Sequence, residues 1–134
     1  MSEERNKQIV RDYVAAFNRG DLAGLRALFA KNAEIQGVLG QAPIEKALEI
    51  WRQLIEGLAI QLTIEEMVAD GDSVAVRYTE RGTFGRPFLG HEPTGKSYEL
   101  VAMEWLVIRN GKIQRRWGAR DSASQARQIG IPLQ

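Results

Sequence analysis

The 134-residue sequence contains no cysteine, which excludes disulfide stapling, thiolate metal sites and a cysteine nucleophile. It has one histidine, His91, and no apolar run long enough to span a bilayer. Charge of one sign is missing too: 18 Lys and Arg stand against 17 Asp and Glu, so no overall field recruits nucleic acid or an acidic membrane. The first residues, Ser2-Glu3-Glu4-Arg5-Asn6-Lys7, are polar and lack the apolar core of a signal peptide. Repeats, low-complexity tracts and linker-like stretches are absent. The expectation is one soluble domain over residues 1–134, located in the cytoplasm, with no nucleic-acid or membrane partner. A chain of this length buries about two thirds of its extended surface, enough for a core and a pocket.

What is present divides the chain into two periods. Ser2 suits a helix N-cap followed by Glu3 and Glu4, and Ile9, Val10, Tyr13, Val14 and Phe17 recur at helical spacing. Asn18-Arg19-Gly20 stops that helix, Asp21 caps a second, and Leu22, Leu25, Leu28 and Phe29 form its stripe up to Asn32. Glu34-Ile35-Gln36-Gly37 reads as a short strand. Pro43 suits the first turn of a third helix whose Ile44, Ala47, Leu48, Trp51, Leu54, Ile55 and Leu58 face inward, with Gly57 weakening its last turn. From residue 60 the period becomes two: 60–69, 73–84, 97–108 and 112–121 are rich in β-branched and aromatic residues, broken by Asp70-Gly71-Asp72, a Gly/Pro loop and Asn110-Gly111. Helices followed by antiparallel strands indicate α+β, with the helices on one face of a curved sheet.

The last hairpin carries most of the functional information. A two-residue type I′ turn at Asn110-Gly111 pairs Ile108 with Ile113, Leu106 with Arg115, Glu104 with Trp117 and Leu100 with Asp121. Arg115 is a misfit on that face, so either the face is solvated there or a bulge shifts the later residues by one. Val101, Met103, Trp105 and Val107 make the first strand apolar on its other side as well. A second subunit is the economical cover for that side, which predicts a homodimer through the sheet. Asp121, at the strand end, is positioned to deliver one acid or base to the mouth of an apolar cavity, although an Asp in this place is also an ordinary turn or helix cap.

Several stretches resemble known proteins. Tyr13-Val14-Ala15-Ala16-Phe17-Asn18-Arg19-Gly20-Asp21-Leu22 and Leu28-Phe29-Ala30-Lys31-Asn32-Ala33 resemble the opening of nuclear transport factor two-like domains. Gly82-Thr83-Phe84, Phe88-Leu89-Gly90, Pro93-Thr94-Gly95-Lys96, Asn110-Gly111-Lys112-Ile113, Trp117, Asp121 and Ile129-Gly130 resemble the SnoaL-like polyketide cyclases of that superfamily. The resemblance implies a cone: a bent antiparallel sheet wrapped around three N-terminal helices, with a deep pocket at the open end. It also implies that Asp121 is the general acid and base of an intramolecular aldol closure needing no metal or organic cofactor. The scaffold carries isomerases, dehydratases, epoxide hydrolases and plain binding domains too.

The remaining candidates follow from these two readings. Tyr13, Phe17, Trp51 and Trp117 suit a cavity for a flat, apolar or polycyclic ligand, and Tyr13 matches a pocket Tyr of the cyclases. Phe84 stands where relatives carry His, which removes a polar group from the pocket. His91 in the Gly/Pro loop is usable near neutral pH, though a solvated loop His is the ordinary reading. Glu104 is a second carboxylate for the Asp121 face, against the alternative that it bridges to Arg115 or Arg116 across the hairpin. Arg77, Arg81 and Arg86 read as surface. Gly82, Gly85 and Gly90 have no following helix and so form no phosphate cradle.

Overall fold

A computed structural model describes residues 2–132. In chain order the elements are α1 (Glu3–Asn18), α2 (Leu22–Ala27), β1 (Phe29–Gly37), β2 (Gly40–Pro43), α3 (Ile44–Leu58), β3 (Gln61–Asp70), β4 (Ser73–Thr83), β5 (Ser97–Arg109), β6 (Lys112–Arg120) and α4 (Ser122–Ile129). The strands form one curved, unclosed sheet in the order β2-β1-β6-β5-β4-β3, antiparallel throughout except between β1 and β6. Its concave side is covered by α1 and α3.

Local chemistry accounts for most boundaries. The Ser2 hydroxyl accepts from Arg5 N at 3.0 Å and Asp21 accepts from Gly24 N at 2.9 Å, so both expected caps are made. Asn18 at the end of α1 docks on the backbone of β3, donating to Leu62 O at 2.9 Å and accepting from Leu62 N at 2.8 Å. The second helix is shorter than its apolar stripe suggested. It stops at Ala27, and Phe29 and Ala33 point into the core from β1 instead. Leu25, Leu28 and Phe29 are apolar in either geometry, which is why periodicity alone extended the helix to Asn32. Pro43 precedes α3 as its N-cap, and Gly57 allows the Phe88 loop to approach the last turn of α3.

The β5–β6 hairpin settles the register question. Asn110 and Gly111 both have positive φ, as the type I′ turn requires. Ile108 pairs with Ile113, but Val107 then pairs with Arg115, so Gln114 is an extra residue on β6. Every later residue is displaced by one from the unbulged register: Trp105 faces Trp117, Glu104 faces Gly118 and Ala102 faces Arg120. Arg116 and Arg120 thereby turn to the concave side, and Trp117 turns away from it. The chain after β6 forms α4, which had no counterpart among the three expected helices; Gln125, Ala126 and Ile129 are its buried residues.

On the convex side Val101, Met103 and Trp105 are each about half exposed, beside the partly exposed Trp117 with the Arg115 guanidinium 4.6 Å over its ring. This stripe runs down the middle of the sheet, where a two-fold axis would bring the same residues of two copies together. We therefore expect light scattering at micromolar concentration to give twice the mass of one chain, and Trp105→Lys to return the monomer. A monomeric wild type would reject the dimer.

Candidate functional site

Between the concave face of the sheet and the helices lies a cavity of about 340 Å³. Tyr13 and Phe17 of α1, and Trp51 and Leu54 of α3, supply one wall; the β1–β2 turn adds Val38 and Leu39; α4 adds Gln125 and Ala126. Tyr13, Phe17, Phe29 and Trp51 interlock with ring centroids 5.8–6.3 Å apart, mostly edge to face, which fixes the aromatic wall. This size and this lining suit a small organic molecule.

The sheet contributes the polar wall, and it is built twice on one plan. In the first cluster Tyr78 of β4, Glu104 of β5 and Arg116 of β6 meet Tyr13 of α1. Glu104 Oε1 accepts from Tyr78 Oη at 2.6 Å, while Oε2 accepts from Tyr13 Oη at 2.8 Å and Arg116 Nε at 2.6 Å, with Arg116 Nη2 in ionic contact at 2.5 Å. Arg116 Nη1 donates to Gln36 O at 3.2 Å, and its guanidinium lies 5.4 Å from the Trp51 ring centre. Gly118 makes this possible, because a Cβ there would overlap the Arg116 guanidinium. In the second cluster Glu80 of β4, Tyr98 of β5 and Arg120 of β6 come together. Tyr98 Oη donates to Glu80 Oε2 at 2.5 Å; Arg120 donates through Nε to Oε1 at 3.1 Å and through Nη2 to Oε2. Glu80 and Glu104 are both buried.

The electrostatics follow from burial. Desolvation first, and the Glu104 carboxylate second, push the Tyr13 and Tyr78 hydroxyls well above the ordinary phenol range. Burial and Glu80 do the same to Tyr98. For Arg116, burial alone would lower the pKa, but Glu104 more than reverses this and holds the guanidinium charged. Among the described residues no group of three or more His, Asp or Glu could hold a metal ion.

The expected site residues divide. Tyr13, Phe17, Trp51 and Glu104 line the cavity. Glu104 does so in the form of the alternative, bridged to Arg116. Phe84 is fully buried against Phe88, with ring centroids 6.2 Å apart, and lies in the core outside the lining. His91 bridges to Phe88 in its loop, also outside the lining. Trp117 is on the convex face because of the Gln114 bulge. Asp121 is exposed and caps α4, accepting from Ser124 N at 3.0 Å; the dry placement expected of it is corrected by the helix that begins there. Tyr78, Glu80, Tyr98, Arg116, Arg120 and Gln125 escaped the sequence reading. For Tyr78 and Glu80 the signal existed: they continue the Val74, Val76 parity of the buried face.

Two stability tests bear on the clusters. Arg116→Met leaves Glu104 buried without its cation and is expected to cost about 3–5 kcal/mol in urea unfolding. All three tyrosines of the chain, Tyr13, Tyr78 and Tyr98, donate to these two carboxylates. Their folded pKa values lie above the unfolded value, so the native state holds more protons once pH exceeds about 10. Stability is then complete below pH 10 and falls above it, by up to about 1.4 kcal/mol per pH unit for each tyrosine. Phenolate absorbance should rise only together with the loss of native circular dichroism.

Between 94% and 98% of the chain matches the solved structures that follow. AclR of Streptomyces galilaeus, a proposed hydroxylase, superposes with a TM-score of 0.88 at 23% identity, covering 98% of this chain and 100% of that one. IdmH of Streptomyces antibioticus, a proposed polyketide cyclase, gives 0.83 at 28% identity over 94% and 99%. A proposed SnoaL-like polyketide cyclase of Jannaschia sp. CCS1 gives 0.88 at 21% identity over 98% and 95%. Residues 7–129 match the family described as SnoaL-like polyketide cyclase. With that match spanning nearly every element that builds the cavity, the chain belongs to the SnoaL-like polyketide cyclase family.

Proposed function

We propose that this protein is an enzyme that closes a ring in an apolar, carbonyl-bearing substrate by an aldol-type reaction, with Asp121 as proton carrier. The observation that carries the reading is the cavity itself: aromatic on the helix side, and on the sheet side polar but internally neutralised, with two carboxylates matched by two guanidiniums. Such a lining favours an uncharged ligand with a few acceptor atoms. The likeness to IdmH, a proposed polyketide cyclase, supports the same class.

In the reaction, Asp121 takes a proton from the carbon beside a carbonyl. The resulting enolate carbon bonds to the acceptor carbonyl carbon, and the alkoxide formed there takes the proton back from Asp121. No atom is gained or lost. Glu80 and Glu104 are not available for this step, because three hydrogen bonds from protein donors already meet each of them, with a further guanidinium contact on Glu104. Asp121 holds one cap bond, and its chain neighbours Arg120 and Ser122 line the cavity. Releasing the cap costs about 1 kcal/mol, a factor of about five, small beside the 10²–10⁴ of general acid–base catalysis. The walls supply the rest by holding the two carbonyl carbons within reach of each other.

A non-catalytic binding domain is the second reading, favoured by the exposure of Asp121. The two separate on one measurement: deuterium exchange at the methyl group of 2-acetylnaphthalene in D2O, followed by NMR. An enzyme accelerates it, and Asp121→Asn reduces the acceleration about 10²–10⁴-fold. Asn caps a helix as well as Asp, so the melting temperature should hold. Wild-type exchange no faster than in carboxylate buffer would leave the binding reading alone.

A further inference from the structure

The two clusters differ in one respect that points to a ligand. In the first, every polar group has a partner: Arg116 places Nε and Nη2 on Glu104 and Nη1 on Gln36 O, and Tyr13 fills the fourth seat around the carboxylate. In the second, Arg120 places Nε and Nη2 on Glu80, and among the described residues no acceptor meets Nη1. Gln125 of α4, a residue only 5% exposed that lines the cavity, lies next to the Tyr98 hydroxyl of this cluster. Its Nε2 is buried and, among the described residues, has no acceptor within hydrogen-bond distance, although the side chain is near enough to Tyr98 to favour that group's phenolate slightly. Buried amides are nearly always paired, so an orphaned donor beside an underused guanidinium is a departure that needs a cause.

We propose that Arg120 Nη1 and Gln125 Nε2 form a two-donor subsite that receives one carbonyl oxygen of the ligand and holds the negative charge that oxygen gains as the enolate forms. The inference rests on the carbonyl-ligand reading above and adds the residues that recognise the oxygen. Glu80, itself held by Tyr98, anchors the guanidinium through two bonds, so its plane is set before the ligand arrives, which is the condition for stabilising developing charge. Strand β6 leads directly into α4, so the turn around Asp121 fixes the spacing of the two donors. The same turn carries the proposed proton carrier. The group that removes the proton and the groups that hold the resulting charge thus share one short stretch of chain, residues 120–125.

Gln125→Leu tests the subsite with little risk to folding, because Nε2 makes no protein hydrogen bond to lose. The probes are 2-acetylnaphthalene and 2-isopropenylnaphthalene, which replaces C=O by C=CH2 at nearly the same shape; titration calorimetry gives both affinities. Gln125→Leu should lower the ketone-to-alkene affinity ratio about tenfold, leave the alkene affinity unchanged and leave the melting temperature equal or higher. Gln125→Glu, which presents oxygen where the donor was, should lose the ketone preference likewise and covers the case that Leu packs badly. An unchanged ratio in both variants overturns the subsite while leaving a cavity that binds apolar ligands. Failure of the wild type to bind either probe overturns the ligand reading, and the subsite with it.

Discussion

Two carboxylates lie under the concave face of the sheet, and the cost of burying them dictates much else in the molecule. A buried carboxylate is tolerated only when a cation and further donors meet it in good geometry. Glu104 obtains them from the strands on either side of its own, and Glu80 from the next strand and the one beyond it: an acid, a tyrosine and an arginine are distributed over β4, β5 and β6 in each cluster. The arrangement ties strand register to charge. A slip of one residue in any of these strands would send an acid or an arginine to the wrong face and leave its partner buried and uncompensated. Tyr13 extends the constraint to α1, so the aromatic wall of the cavity is held to its polar wall by a 2.8 Å hydrogen bond.

The bulge at Gln114 is the device that makes this compatible with the turn. Asn110-Gly111 fixes Ile108 opposite Ile113, both fully buried, and without an extra residue the alternation would then put Arg115 and Trp117 inside. One inserted residue exchanges them for Arg116, Gly118 and Arg120. The exchange supplies both cations of the cavity and, with Gly118, the room one of them needs. It also delivers Trp117 to the convex face opposite Trp105, where it enlarges the apolar stripe. The cations of the cavity and the breadth of the stripe are therefore two results of one backbone irregularity.

That irregularity also marks where the sequence stops being informative. Caps at Ser2 and Asp21, the turn at Asn110-Gly111, the change of period near residue 60 and the inward stripe of α3 are local, and each could be read from neighbours in the chain. The misfit of Arg115 even signalled that solvation or a bulge must intervene. Which of the two holds depends on the acids of neighbouring strands, more than ten residues away, and no local pattern contains them. The end of α2 at Ala27 was hidden for a different reason: the same apolar residues satisfy a helix stripe and the first residues of a strand. In α4, Ser122-Ala123-Ser124-Gln125-Ala126-Arg127-Gln128 offers too few apolar positions to announce a helix, so the sequence left Asp121 open between a strand end facing a pocket and an ordinary turn or helix cap.

The placement of Asp121 then has a physical logic. Inside the cavity, a carboxylate must be met by several donors to be buried at all, and such donors occupy the lone pairs that a substrate proton would need. Glu80 and Glu104 illustrate this limit. A carboxylate outside the cavity, held by one backbone N–H at the start of a short helix, keeps most of its acceptor capacity and can exchange a single bond of about 1 kcal/mol for contact with a bound molecule. On the proposed reading labour divides: the buried acids fix the guanidiniums, Arg120 and Gln125 would present donors to the ligand, and proton transfer would fall to the acid at the edge. A ligand seated against the turn at residue 121 would bring the desolvation that the buried acids already endure to Asp121 only for as long as the ligand is there.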